Sequence, residues 1–270
     1  MGASTLFARM AFAAHLYQAL RRNWRHYVVE AAGIMAFMTV SSLAAVLFLH
    51  SDSAVARAFG PKAWVQRSGV AVAVALLITG MANSPWGKRS GALFNPAVTL
   101  GFWQLGYIAT ADALWYALAQ FSGACVAGVS LSWLLKPWFS HPTIHYNTTV
   151  PIEGKHGWAL ALGAETLISA ALMLVLLWAL HSPTRKRWAG ALAGLALALF
   201  IVVEAPLSGM SLNPARTLGA AIGAGKAHGL WLYFLGPLAG AWATAALYQR
   251  YHRRQPTGEA APPHFPDPKA

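Results

Sequence analysis

Long apolar stretches alternate with short polar ones along the chain. Apolar runs cover roughly 27–49, 68–83, 112–135, 157–180, 188–203 and 230–248. A bilayer-crossing helix needs about 20 such residues, so the pattern predicts six spanning helices. Two further apolar stretches, 97–103 and 215–222, are too short to span. They read as half-helices that enter the membrane and stop, because irregular backbone at that depth is tolerated only when buried in protein or lining a cavity. The predicted fold class is an all-α membrane protein with six transmembrane helices and two re-entrant half-helices.

The two half-helices open on copies of one motif. Residues 90–101 read SGALFNPAVTLG and residues 208–219 read SGMSLNPARTLG. Asn95 and Asn213 are good N-cap residues. Pro96 and Pro214 follow with φ preset and no N–H to leave unpaired, and Ala97 and Ala215 continue the helix. One such motif is weak evidence, but two in matching contexts are strong. Each half of the chain, 28–135 and 157–249, holds three spans and one half-helix. An odd number of spans turns the second half over, so the halves are inverted repeats and the half-helices meet near the midplane. Small residues four apart, Gly190 with Gly194 and Gly236 with Gly240, suit close helix crossings.

Composition sharpens this picture. The 270 residues are 57% hydrophobic and 10% charged, which excludes an ordinary soluble domain. A net charge of +12 invites a nucleic-acid reading. The basic residues, however, sit in short clusters between apolar runs: Arg21-Arg22, Lys88-Arg89, Arg185-Lys186-Arg187 and Arg253-Arg254. That placement follows the positive-inside bias, puts both termini in the cytoplasm and argues against nucleic acid. Residues 1–27 are expected to form a basic, amphipathic cytoplasmic lead-in rather than a cleaved signal peptide, since no small-residue cleavage site follows a clean apolar core. Residues 28–249 form the channel domain, and the polar, Pro-rich 250–270 a disordered cytoplasmic tail. The one cysteine, Cys125, excludes an intrachain disulfide and a cysteine-based metal site. The short, simply organised chain suggests a bacterial inner membrane.

The meeting point carries the functional argument. Two helix N-termini facing each other concentrate positive potential and repel cations. The amide groups of Asn95 and Asn213 offer donors to a permeating water, which interrupts a continuous proton wire. No nucleophile–base pair, metal cluster or phosphate-binding loop is visible, so neither an enzyme nor an ATP-driven pump is expected, and no cofactor is expected.

With both motifs in hand, the chain resembles the aquaporin, or major intrinsic protein, family across nearly all of 28–249. The resemblance implies a homotetramer with one pore per protomer and places Asn95 and Asn213 at the central constriction. It also implies that Glu30 and Glu165 hold the half-helix loops through backbone hydrogen bonds. An intramembrane carboxylate is costly and needs donors, which agrees. The family's outer filter maps to Val74, Ile201, Met210 and Arg216. Here the sequence departs from the family: water-selective members typically carry His where Ile201 stands and Phe where Val74 stands. Glycerol facilitators carry aromatics around the Arg and Asp where Thr217 stands. Tyr233-Phe234 and Ala221 look like the water-channel group. Leu93 stands where many members have a pH-sensing His. Glu204, three residues after Ile201, is a candidate partner for Arg216 at the outer mouth. His141, His145 and His156 read as a solvated loop rather than a metal site. Asn147-Thr148-Thr149 matches a glycosylation acceptor but is given no weight.

The expected function is passive conduction of water without protons or ions. The alternatives are a facilitator of glycerol, urea, ammonia, metalloid acids or another small neutral solute, and, more distantly, a coupled secondary transporter.

Overall fold

The structure is a computed structural model, and it describes residues 3–253. Its first half contains α1 (Ala3–Leu49), α2 (Ala54–Ala58), α3 (Ala63–Asn83), α4 (Pro85–Ser90), α5 (Pro96–Gln104), α6 (Thr110–Leu134) and α7 (Lys136–Phe139). The second half contains α8 (Gly157–Leu180), α9 (Pro183–Lys186), α10 (Ala189–Val203), α11 (Ala205–Ser208), α12 (Pro214–Ala224) and α13 (Leu230–Arg253). A short left-handed turn, His145–Asn147, lies between the halves. No strand occurs among the described residues.

Five helices are long and apolar enough to cross a membrane, and the sixth span, α10, is a shorter apolar helix. Its end has a physical cause. Pro206 lacks an N–H and cannot extend a helix from below, so the chain breaks at Glu204 and restarts as α11.

Two expected boundaries move. The expected lead-in helix and the first span run together as one continuous α1 of 47 residues. Between Gly2 and Gly33 the sequence contains neither Gly nor Pro, so nothing interrupts the helix. At the other end α13 runs to Arg253, past the expected start of the tail at 250. The rest of that tail lies outside the described residues.

The packing repeats between halves. The pairing of α1 with α6 matches that of α8 with α13, and α5 lies on α13 as α12 lies on α6. Helices α3 and α10 pack directly on each other. Several crossings bring backbones together at glycine. A Cβ at Gly194 would stand 2.6 Å from Ala75 O, and one at Gly240 would stand 2.2 Å from Thr166 O. At Gly128 it would stand 1.8 Å from Gly219 O. Close approach of this kind is how helices associate where lipid tails remove the hydrophobic drive.

The outer surface is apolar. Leu76, Leu167, Leu195 and Val203 are all exposed, which suits contact with acyl chains. Trp64, Trp133, Trp158, Trp178, Trp188 and Trp231 are exposed near helix ends, where amphipathic rings anchor at headgroup depth.

The glycine contacts give a direct test. Gly128→Ala is expected to cost about 1–3 kcal/mol by overpacking, read as a lower melting temperature in detergent. Gly80→Ala, where nothing lies within 4 Å of the new methyl, should leave that temperature unchanged or slightly higher.

Candidate functional site

Both half-helices start in the same way. Asn95 has extended backbone (φ −151°, ψ 118°), and its Oδ1 accepts from the Ala97 N–H at 2.9 Å. Asn213 (φ −141°, ψ 104°) accepts at Oδ1 from Ala215 N–H at 3.1 Å and Arg216 N–H at 3.3 Å. Each Asn caps its own helix, with Pro96 or Pro214 next in line.

The amide nitrogens then cross between halves. Asn95 Nδ2 donates to Leu212 O at 2.8 Å, and Asn213 Nδ2 donates to Phe94 O at 2.7 Å. One hydrogen of each amide is therefore spent on the opposite half-helix loop. The sequence expectation left both amides free to donate to the lumen, whereas the geometry leaves one hydrogen each.

The backbone just before each Asn is unusual. Gly91, Ala92 and Phe94 have φ of 90°, 52° and 49°, and the aligned Gly209, Met210 and Leu212 have 82°, 53° and 57°. A non-glycine residue in that region costs on the order of 1–3 kcal/mol and persists only when its surroundings hold it. The sequence names no acceptor for the N–H groups of these loops except the two buried glutamates.

Glu30 and Glu165 are 0% exposed and sit beneath these loops. Glu30 accepts from Leu93 N–H at 3.1 Å, Phe94 N–H at 2.6 Å and Gln120 Nε2 at 2.7 Å. Glu165 accepts from Ser211 N–H at 2.6 Å, Leu212 N–H at 2.8 Å and Ser208 Oγ at 2.5 Å. A second brace was not visible in the motifs. Tyr116 OH donates to Ser90 O at 2.7 Å, and Tyr233 OH donates to Ser208 O at 2.7 Å. Tyr233, read from the sequence as part of a selectivity signature, is thus a buried strut under the loop. The only sequence signal for Tyr116 is its near-equal distance from the first motif.

A cavity of about 650 Å³ leads to the crossing point. Lys88, Lys186 and Arg187 border it, as do Asn95, Asn213 and Met210. Of the four filter candidates only Met210 borders this cavity. Val74 on α3 and Ile201 on α10 are buried outside its wall, and Arg216 on α12 borders a separate, much smaller cavity with Asn147.

Arg216 is 7% exposed. Its Nη2 donates to Asn147 Oδ1 at 3.3 Å, and its Nη1 has no partner. Asn147 in turn donates to Ser41 Oγ at 3.2 Å and Ser42 Oγ at 3.3 Å on α1. The residue given no weight as a glycosylation acceptor is therefore the contact that holds the Arg216 guanidinium. Glu204 does not pair with Arg216: both its carboxylate oxygens are buried without a partner. The break at Pro206 turns Glu204 toward Ser208 and Glu165 instead. The loop histidines do not converge. His141 stacks on His50 with ring centroids 4.3 Å apart, and no cluster of three His, Cys, Asp or Glu occurs among the described residues.

Inverted repeats, paired half-helices and a cavity ending at their facing N-termini are the architecture of a membrane channel. The chain belongs to the major intrinsic protein family, whose model matches residues 18–248. It is 37% identical over 186 residues to aquaporin NIP2-1 of Oryza sativa subsp. japonica, covering 66% of this chain and 58% of that protein. It is 36% identical over 203 residues to aquaporin NIP2-3 of Zea mays, covering 74% of this chain and 63% of the relative. The match thus spans less than two thirds of either relative's length. The aquaglyceroporin from Plasmodium falciparum shares the fold, with a TM-score of 0.68 at 20% identity over 84% of this chain and 96% of that one. Members of this family are channels rather than enzymes, and the chain is an integral, multi-pass membrane protein. These plant relatives lend no support to the expected bacterial inner membrane.

Removing the carboxylate charge under the second loop tests the brace. Glu165→Gln replaces an acceptor of three bonds with a group that must turn donor hydrogens toward donors. It is expected to cost about 1–3 kcal/mol and to lower both melting temperature and water flux. Tyr233→Phe removes one bond and should cost about 1 kcal/mol, with flux reduced less.

Proposed function

We propose that the channel conducts water and excludes protons and ions. The observation that carries this reading is the crossed pair of asparagines at the end of the cavity. Each Asn keeps one amide hydrogen after bonding the opposite loop. A water between them accepts on its oxygen and points its own hydrogens away, toward the two ends of the pore. It cannot pass a proton through that orientation. The N-terminal ends of α5 and α12 add positive potential at the same place, which opposes cations. Protomers assemble as a homotetramer with one pore each, and both termini face the cytoplasm.

A second reading has its own support. Val74 and Ile201 stand where the family resemblance puts the outer filter and carry no aromatic ring, and Met210, the one filter candidate that borders the cavity, is a flexible gap-filler. Such a wall suits a small neutral solute with a carbon skeleton, such as glycerol. A coupled transporter fits less well. The carboxylates nearest the crossing, Glu30 and Glu165, are committed to the loops rather than to the lumen.

Stopped-flow light scattering on proteoliposomes separates these readings. Vesicles first shrink in an impermeant osmolyte and then re-swell in glycerol. The water reading expects shrinkage clearly faster than in protein-free vesicles, with glycerol entry at the control rate. Fast glycerol entry would replace it with the solute reading, and uphill accumulation would point to coupled transport.

A further inference from the structure

Glu204 is a buried carboxyl that the channel mechanism does not use. It is 5% exposed, and neither side-chain oxygen has a hydrogen-bond partner. Buried polar groups are nearly always bonded, so an orphaned one calls for a cause. Its backbone is pinned on both sides. Glu204 N–H donates to Phe200 O at 2.8 Å, and Leu207 N–H donates to Glu204 O at 2.7 Å. The side chain is buried at the corner where α10 gives way to α11, both of which pack on α8.

The groups around it are few. Ser208, one turn on in α11, bonds the Glu165 carboxylate on α8 and accepts from the Tyr233 phenol on α13 through its carbonyl, and these are the titratable and polar groups within electrostatic reach of Glu204. Arg216 on α12 is turned to Asn147. Arg67 on α3 donates its Nε to Val202 O at 3.2 Å. Neither arginine bonds Glu204.

The hydrogens can be assigned. Ser208 has one hydroxyl hydrogen, and it goes to Glu165 Oε1 at 2.5 Å. One Ser208 lone pair accepts from Met210 N–H at 3.1 Å. What remains is a single acceptor position. An ionised Glu204 has nothing to accept from there and lies beside a second carboxylate, so two like charges would compete for one hydroxyl hydrogen. A neutral Glu204 has one O–H, which matches the open acceptor.

We propose that Glu204 is a proton-binding site whose O–H donates to Ser208 Oγ, completing the chain Glu204–Ser208–Glu165 that holds the 208–212 loop. Losing that proton to bulk water at the outer mouth places charge beside Glu165, loosens the loop that carries Met210, and lowers permeation. The sign follows from linkage: a carboxyl kept neutral by folding favours the folded loop at low pH and opposes it as pH rises. This rests on the channel reading above.

The test measures water permeability of full-length protein in proteoliposomes from about pH 5 to about pH 9. Wild type is expected to lose about half its flux or more across that range. Glu204→Gln, whose amide N–H replaces the carboxyl O–H, should hold the low-pH flux throughout. A measurable but flat wild-type profile overturns the proposal, as does a variant that follows the wild-type curve. If the variant does not assemble, infrared spectra of the wild type decide. A protonated-carboxyl band that vanishes in step with the flux supports the proton site, and the absence of such a band overturns it. No water flux at any pH would sink the water reading alone, and the infrared band would still decide the fate of the proton.

Discussion

Unpaired backbone at the centre of a bilayer is the constraint from which this structure follows. Two half-helices require two loops that run through the membrane without helical bonds, and lipid offers no partners. The chain answers with one buried carboxylate per loop. Burying a carboxylate costs several kcal/mol. Each of these accepts three hydrogen bonds, and bonds to a charged group contribute about 1.5–3 kcal/mol apiece, enough to offset the cost. The same bonds hold the left-handed residues 92, 94, 210 and 212 in place, and those residues turn the Phe94 and Leu212 carbonyls toward the opposite Asn. Removing either carboxylate would therefore disturb the far half-helix as well as the near one.

The internal symmetry is close where the constraint is shared and fails where it is not. Glu30 matches Glu165, Tyr116 matches Tyr233 and Ser90 matches Ser208, with matching bonds. The serine hydroxyls also match, Ser90 on Glu30 and Ser208 on Glu165, and the first carboxylate takes a further donor from Gln120. Beyond that the halves diverge. Val98 follows the first motif where Arg216 follows the second. A buried guanidinium then needs a partner, and the connection between the halves supplies Asn147 from its left-handed turn. The charge on one side of the crossing and its absence on the other make the two sides of the crossing chemically distinct.

Much of this was readable from sequence because the repeat carries it. The twin Asn-Pro-Ala starts, the six apolar runs and the two intramembrane glutamates are each local or recur at matched positions. What escaped reading depends on contacts between distant segments. Nothing in the sequence near Asn147 indicates that it meets Arg216, 69 residues away. The pairing of Glu204 with Arg216 was a reasonable guess from charge, but the break at Pro206 aims the carboxyl elsewhere. The crossed asparagine bonds were missed because a motif read alone says what an Asn does for its own helix. What it does for the other copy appears only when the two are folded together.

On the filter assignment proposed here, size and polarity act at separate residues. A permeant leaving bulk water must recover hydrogen bonds from the wall. Val74 and Ile201 offer none, while Arg216 Nη1 is a buried donor with no protein partner. Any hydroxyl oxygen can take that donor, so it does not tell water from a polyol. The apolar wall does not tell them apart by bonding either, and only favours carbon over water. Discrimination then falls to width, and width falls to Met210, an unbranched side chain whose backbone is fixed at positive φ while its thioether is free to repack. On that assignment the width is set by the residue whose loop the Glu165–Ser208 brace holds.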